Sequence, residues 1–314
     1  MKNKILEEIK NADSIAILTH ESPDGDAVGS SLGMYLALKQ LNIKAKVDVI
    51  MKEYPKMFQI LKGIEEFQKE SSINYDLAIV LDCASEKRIS EQEIFANAKT
   101  TINIDHHATN NEFATLNLVE KQGPACCLTL ADVLKSWNVK IDKQIGSALA
   151  TGIITDTSGF KYNNIAKTYE FIAEVIKTGV DITNLYFKIL TVNTKAQFEL
   201  KMLAQKRLEF LLDNKVTFTY ITKEDDEKLG TKTGDHEGIV EIGKNIEGVE
   251  VSIFCRSQND KYRVSLRSNE YVDVSIIATS FGGGGHTKAA GFVSDLDLEE
   301  LKQQLLTSIS KVLK

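Results

Sequence analysis

THESPDGDAVGS, residues 19–30, follows directly on the apolar run SIAIL and leads into AVGSSLGMYLALKQLN, whose apolar residues recur at helical spacing. A short apolar run, a polar turn and then a 3.6-residue period read as strand, loop and helix. Within that loop His20, Asp24 and Asp26 crowd together. Carboxylates gathered at one strand end repel one another, so the rest of the fold has to supply what compensates them.

The same unit recurs through the first half of the chain. SIAILTH (14–20), KAKVDVI (44–50), LAIVLD (77–82) and TINID (101–105) read as strands, and residues 27–42 as a helix. Strand and helix in turn imply an α/β fold, a mostly parallel sheet flanked by helices. From about residue 124 helical patterns dominate, in PACCLTLADVLKSW, DKQIGSALATGII and AKTYEFIAEVIKTG. The charged amphipathic stretch NTKAQFELKMLAQKRLEFLLDN (193–214) reads as a connecting helix. Beyond it the pattern restarts with VTFTYIT, VEVSIFCRS and KYRVSLRS as strands, a helix near VDVSIIATSF, the segment GGGGHTKAAGFVS and a closing helix. The chain of 314 residues exceeds the length at which single cores stop growing. The expected organisation is therefore a domain over 1–190, a connecting helix over 191–214 and a smaller α/β domain over 215–314, with the active site in the cleft between the domains.

Composition narrows the partners. A net charge of −6 argues against a broad basic surface for long duplex nucleic acid, and an anionic substrate would need a local positive centre. The amino terminus, MKNKILEEIKNADS, lacks the apolar core of a signal peptide, and no run approaches a membrane span, so a cytoplasmic protein without membrane contact is expected. Cys83, Cys126, Cys127 and Cys255 form no C-x-x-C pair and read as small core hydrophobes. Trp137 reads as a packing residue, and His236, in KTGDHEG, as a surface one.

In open parallel sheets, sites form beyond the carboxyl ends of the strands. His20 closes SIAILTH, Asp82 closes LAIVLD, and Asp105, His106 and His107 close TINID. Asp156 follows an apolar helical run, where the helix dipole disfavours a carboxylate by roughly 0.3–1 kcal/mol without a compensating cation. Singly each residue has a plainer reading, and Asp26 in particular suits the cap of the helix that follows it. Jointly they point to a shared metal site. Mixed carboxylate and imidazole ligands suit Mn²⁺, Fe²⁺, Co²⁺ or Zn²⁺. The donors are too many for one ion, whereas two divalent ions would remove the repulsion and form a centre for an anionic substrate. Successive strand residues point to opposite sides, so one of His106 and His107 binds metal and the other faces substrate; the spacing leaves open which.

Taken in order, His20-Glu21-Ser22-Pro23-Asp24-Gly25-Asp26-Ala27-Val28-Gly29-Ser30, then Asp82, then Asp105-His106-His107, then Asp156, resemble the DHH phosphoesterase superfamily. The carboxyl-terminal GGGGHTKAAGF, with SLRS before it, resembles the nucleotide-binding domain associated with those enzymes. The resemblance implies that His20, Asp24 and Asp82 hold one Mn²⁺ and that Asp26, Asp82, His106 and Asp156 hold a second, with Asp82 bridging. It further implies that His107 contacts the scissile phosphate, with Asp105 beside it.

In the carboxyl-terminal segment, Gly282 to Gly285 read by themselves as a hinge or loose turn. Followed by His286 they can instead offer backbone N–H groups to an anion, and Arg267 can fork onto a phosphate or stack on a base. Ser268, Gly283, Gly284, Gly285 and His286 thus join Arg267 and His107 as expected substrate contacts. The family likeness is greatest to stand-alone oligoribonucleases, which cut short RNA or DNA oligonucleotides to nucleoside 5′-monophosphates and dephosphorylate 3′-phosphoadenosine 5′-phosphate. A cyclic di-AMP or pApA phosphodiesterase is the alternative, and a non-catalytic nucleotide-binding regulator a remote one. A homodimer agrees with the resemblance.

Overall fold

Each of the four expected strands forms, and a fifth that the sequence reading did not anticipate completes their sheet. In the computed structural model, which describes residues 1–71, 74–161, 163, 165–232, 234–258 and 261–314, the chain divides into two units, Met1–Val192 and Asn193–Lys314. The first unit runs α1 (Lys2–Asn11), β1 (Ser14–Leu18), α2 (Gly25–Gln40), β2 (Lys46–Val49), β3 (Leu77–Leu81), α3 (Gln92–Asn97), β4 (Thr100–Asp105) and β5 (Leu116–Val119). It continues through α4 (Cys126–Ser136), α5 (Lys143–Asp156), α6 (Ala166–Lys177) and α7 (Ile182–Tyr186).

The five strands pair in parallel in the order β2-β1-β3-β4-β5. LAIVL of β3 is buried at every position, as a central strand covered on both faces requires. Strand order reverses between β1 and β3, and in doubly wound sheets a crevice opens at that point beyond the carboxyl ends. Both strands end one or two residues short of a candidate ligand. Beside the sheet, α2 packs along α5 and also meets α4. The approach of α2 to α5 is close: a Cβ added at Gly29 would lie 2.4 Å from the Ala148 carbonyl oxygen and 3.1 Å from the Gly152 nitrogen.

The second unit contains α8 (Lys195–Lys206), β6 (Glu209–Leu211), β7 (Val216–Ile221), α9 (Lys223–Leu229), α10 (Ile239–Lys244), β8 (Val251–Gln258), β9 (Lys261–Ser268), α11 (Val274–Ser280), β10 (Gly284–His286), β11 (Ala289–Ser294) and α12 (Leu298–Ser310). Its sheet has the order β10-β11-β9-β8-β7-β6, with only β7 and β8 parallel. Val251, Ile253 and Cys255 of β8 join a core with Ile277 of α11 and Leu305 of α12. The alternate Phe254 packs with Leu200 of α8 and Val240 of α10.

The connecting helix expected over 191–214 is shorter than its amphipathic pattern suggests. It ends at Lys206, and Glu209–Leu211 instead pair antiparallel with β7 through a turn in which Leu212, Asp213 and Asn214 all have positive φ. A three-residue strand at a sheet edge carries too few alternating positions to be told from the last turn of a helix. The helix itself falls within the second unit.

Candidate metal centre

Three strand exits and one helix end build the cluster, each for a local reason. Beyond β1, Asp24 caps α2, accepting hydrogen bonds from the Asp26 and Ala27 amides at 2.9 and 3.1 Å. This corrects the reading of Asp26 as the cap. Asp26, one residue inside α2, is released to reach across the unit to the amino terminus of α4. There it accepts from the Cys126 amide at 2.5 Å and the Cys127 amide at 2.9 Å. These unpaired amides at the positive end of a helix suit a carboxylate.

Asp82 follows β3 with φ of 55°, a left-handed conformation that aspartate tolerates better than most residues. Its carboxylate is 2 % exposed, and its Oδ1 has no hydrogen-bond partner. His106 follows β4 and points its Nε2 at three carboxylates: Asp156 Oδ2 at 3.1 Å, Asp82 Oδ1 at 3.5 Å and Asp26 Oδ2 at 3.8 Å. His20 Nε2 lies 3.7 Å from Asp82 Oδ2. The six expected ligands thus resolve into two groups whose donor atoms lie within 4.8 Å of one another, His20–Asp24–Asp82 and Asp26–His106–Asp156.

The histidines are oriented as ligands are. The His20 Nδ1 lies 2.7 Å from the Glu21 carbonyl oxygen, and the His106 Nδ1 lies 3.0 Å from that of Gly123. A carbonyl oxygen only accepts, so Nδ1 carries the proton in both rings and Nε2 faces the carboxylates. In a neutral ring that places a lone pair against anions, a repulsive arrangement unless a cation intervenes.

Charges in the cluster show the same conflict. Burial and the Asp82 carboxylate push Asp26 up to about 7, and burial with the Asp26 carboxylate pushes Asp156 up to about 8. Burial works to lower His106, yet Asp82, Asp26 and Asp156 outweigh it and lift the ring to about 10. Burial works to raise Asp82, but the His106 and His20 imidazoles hold it well below the usual carboxylate range. Among the described residues no lysine or arginine forms an ion pair with Asp24, Asp26, Asp82 or Asp156. The orphaned Asp82 oxygen and the inward-facing imidazole nitrogens fit divalent cations, which would satisfy both.

His107 behaves differently. Its Nδ1 lies 2.8 Å from Asp105 Oδ1, and the fully buried Asp105 holds the ring from behind. That hydrogen bond raises the His107 pKa above its ordinary value despite the opposing effect of burial. The ring is tilted 56° to that of His106, with centroids 4.7 Å apart, and its Nδ1 also lies 3.7 Å from Asp82 Oδ1; both histidines follow the end of β4, so strand alternation does not set their directions.

Residues 14–153 match the amino-terminal domain of the DHH family, and residues 213–314 match the DHHA1 domain. A bifunctional oligoribonuclease and PAP phosphatase, NrnA, from Thermus thermophilus is 30% identical over 306 residues, covering 95% of this chain and 90% of that one. The chain belongs to the DHH family. A crystal structure of an exopolyphosphatase-related protein from Bacteroides fragilis superposes with a TM-score of 0.89 at 27% identity, covering 98% of this chain and 95% of the other. A cyclic-di-AMP phosphodiesterase, PdeA, from Listeria monocytogenes is 24% identical over 96% of this chain but only 48% of its own length. The DHH family is one of phosphoesterases, so this chain is a phosphoester hydrolase.

The DHHA1 unit places its expected residues more selectively. The glycine run does not form a loose hinge: Gly284–His286 make the edge strand β10, and a Cβ at Gly283 or Gly285 would strike β11 within 2.5 Å. Ala289 pairs with His286 on one side and with Arg267 on the other, and directly opposed strand residues share a face. Arg267 and the exposed His286 therefore flank the small Ala289. Glu241 accepts from Arg267 Nε at 3.0 Å and steadies the guanidinium. Ser268, expected to touch substrate, is instead 1 % exposed and donates its hydroxyl to the Val272 carbonyl at 2.7 Å, holding a loop. His236 is likewise not a surface residue: its Nε2 lies 2.8 Å from Asp226 Oδ1 and its ring stacks on Phe254. All four cysteines are buried and free. Among the described residues no helix is long and apolar enough to cross a membrane.

Sequence reading missed the groups that hold the DHH ligands. The Cys126 and Cys127 amides, the Gly123 carbonyl, Asn103 and Asn110 carry no ligand-type signal of their own. One signal was present: Gly25, Gly29 and Gly33 fall on one stripe of α2, and such a stripe marks a close helix approach.

Proposed function

We propose that this chain is a Mn²⁺-dependent phosphoesterase that hydrolyses short oligonucleotides to nucleoside 5′-monophosphates and dephosphorylates 3′-phosphoadenosine 5′-phosphate. The observation that carries this reading is the place of Asp82 between the two donor groups, its Oδ2 3.7 Å from His20 Nε2 and its Oδ1 3.5 Å from His106 Nε2. His20, Asp24 and Asp82 would hold one Mn²⁺; Asp26, Asp82, His106 and Asp156 would hold the other. Bound there, the pair would activate water and stabilise charge on phosphorus.

The chain's own residues do the rest. His107, with Nδ1 committed to Asp105, keeps Nε2 for a phosphoryl oxygen, and the Asp105 hydrogen bond that raises its pKa favours the protonated, donating ring over a free imidazole. Arg267 and His286 of the second unit would contact a phosphate or base of the substrate. Substrate choice follows the Thermus thermophilus relative, which the chain matches over nearly its whole length. Cyclic di-AMP or pApA is the second reading, favoured by the likeness to PdeA.

A side-by-side panel with Mn²⁺ tests this: pApA, a short RNA, a short DNA, cyclic di-AMP, 3′-phosphoadenosine 5′-phosphate and pyrophosphate. Fastest release of mononucleotide from the linear substrates is expected; binding of pApA without AMP release would support the non-catalytic regulator instead. His286→Ala should leave metal content intact and raise KM for pApA about tenfold, the loss of roughly one charge-assisted hydrogen bond. Unchanged KM would remove His286 from substrate recognition.

Stability of the metal-free protein should fall as pH rises from 6 to 8. Asp26, Asp156 and His106 all have folded pKa values above their unfolded ones, so the folded state holds protons in this window that the unfolded state has given up. Bound Mn²⁺ would take the place of those protons, so its stabilisation in thermal unfolding should be larger at pH 8 than at pH 6. An equal shift at both would show that the cluster does not bind the metal.

A further inference from the structure

We propose that Asn110 is a positioning residue for His107, acting through Asp105; the role rests on the phosphoester-cleavage reading above. Asn110 is 5 % exposed, and its amide is committed inward. Its Nδ2 donates to Asp105 Oδ2 at 2.6 Å and to Asn103 Oδ1 at 2.7 Å, with the Cys83 carbonyl oxygen at 3.1 Å. Its Oδ1 accepts from the Glu112 amide at 2.7 Å. The amide has two hydrogens for three acceptors, so no donor is left for solvent or substrate.

Asp105 is 0 % exposed, with Oδ1 on His107 and Oδ2 on Asn110. A buried carboxylate held at both oxygens cannot turn about its terminal torsion, and the His107 imidazole inherits that orientation. Asn103 extends the restraint, its Nδ2 reaching the Val80 and Cys83 carbonyl oxygens at 3.3 Å each. Cys83 adjoins Asp82, so the pair of asparagines ties the exit of β3 to the exit of β4. Removing the Asn110 amide frees Asp105 Oδ2, leaves a buried acceptor unpaired and lets the His107 ring swing.

The experiment is a double-mutant cycle on the Mn²⁺-loaded full chain with pApA. Asn110→Ala should lower kcat by roughly 10- to 100-fold, the usual consequence of losing an outer hydrogen-bond partner, with KM and metal content near those of the unaltered protein. In a His107→Ala background the same change should cost almost nothing more, because its effect passes through the missing ring. A further loss in that background, multiplying the two single effects, would overturn the proposal, as would a loss of Mn²⁺ in the Asn110 variant. Should Asn110→Ala fail to fold, Asn110→Leu keeps nearly the same shape and removes the donor without adding a buried charge, and the same kcat loss is expected. A second readout needs no turnover. In the Mg²⁺-loaded protein, a downfield ¹H resonance from His107 Nδ1–H, assigned by its absence in His107→Ala, should be present and should broaden or vanish in Asn110→Ala. If it stays unchanged, Asn110 does not hold the ring. If the unaltered chain hydrolyses none of the panel, the phosphoesterase reading falls, and this spectrum alone decides the role of Asn110.

Discussion

Replacing Asp82 by asparagine should reduce turnover of every substrate by at least about 10³-fold, the equivalent of some 4 kcal/mol of lost transition-state stabilisation. The reason is its position between the two donor groups: Oδ2 lies 3.7 Å from His20 Nε2, and Oδ1 lies 3.5 Å from His106 Nε2. Among the described residues no other carboxylate is placed against both imidazoles. Asparagine is the informative substitution because it tolerates the positive φ at this position and keeps the side-chain shape, so a loss is not explained by unfolding. Elemental analysis should find less bound Mn²⁺ in the variant, and circular dichroism an unchanged fold. Activity within tenfold of the unaltered protein, on any substrate, would refute the bridging role.

How much of this was legible in the sequence depends on where each interaction partner lies in the chain. SIAIL and LAIVL are continuous apolar runs because their strands are covered on both faces, and their exits carry His20 and Asp82, so both strand and ligand are visible locally. LNLV of β5 is half-buried throughout at the sheet edge, and an alternation only four residues long is too short to stand out as a strand signal. Partners remote in sequence were invisible for a different reason. Asp26 and the Cys126 amide are 100 residues apart, and a backbone N–H has no side-chain signature. Either aspartate of the DGD triplet satisfies the local capping pattern; only the approach of α4 decides that Asp24 caps α2 and Asp26 is free to leave it. Ser268 misled because a hydroxyl beside an arginine looks like a phosphate contact until the Val272 carbonyl is seen to accept from it.

Gly152→Ala is expected to damage both stability and catalysis, although alanine is the better helix former by about 1 kcal/mol. The added Cβ would lie 2.3 Å from Cys127 Sγ, 2.5 Å from Asp26 Oδ1 and 2.9 Å from Asp26 Cα. The last of these is backbone, which cannot swing aside as the end of a flexible side chain can. Nor can α2 shift along α5 to make room, since Gly29 already brings the two backbones together beside Ala148. The helices must separate, and Asp26 then loses the Cys126 and Cys127 amides while Asp156, on the same helix as Gly152, moves away from His106. Overpacking of this kind costs about 1–3 kcal/mol, read as a lower urea midpoint at unchanged slope. A displacement near 1 Å at the ligands should lower kcat about 10²-fold. Gly146→Ala, six residues earlier on α5, provides the contrast: its Cβ would meet only the Val175 Cγ1 at 3.2 Å among close neighbours, a side-chain methyl that can yield. That variant should keep its activity and unfold no more easily than the unaltered chain. If both glycine variants behave alike, the ligand geometry does not depend on the contact between α2 and α5, and the placement of Asp26 and Asp156 must have another cause.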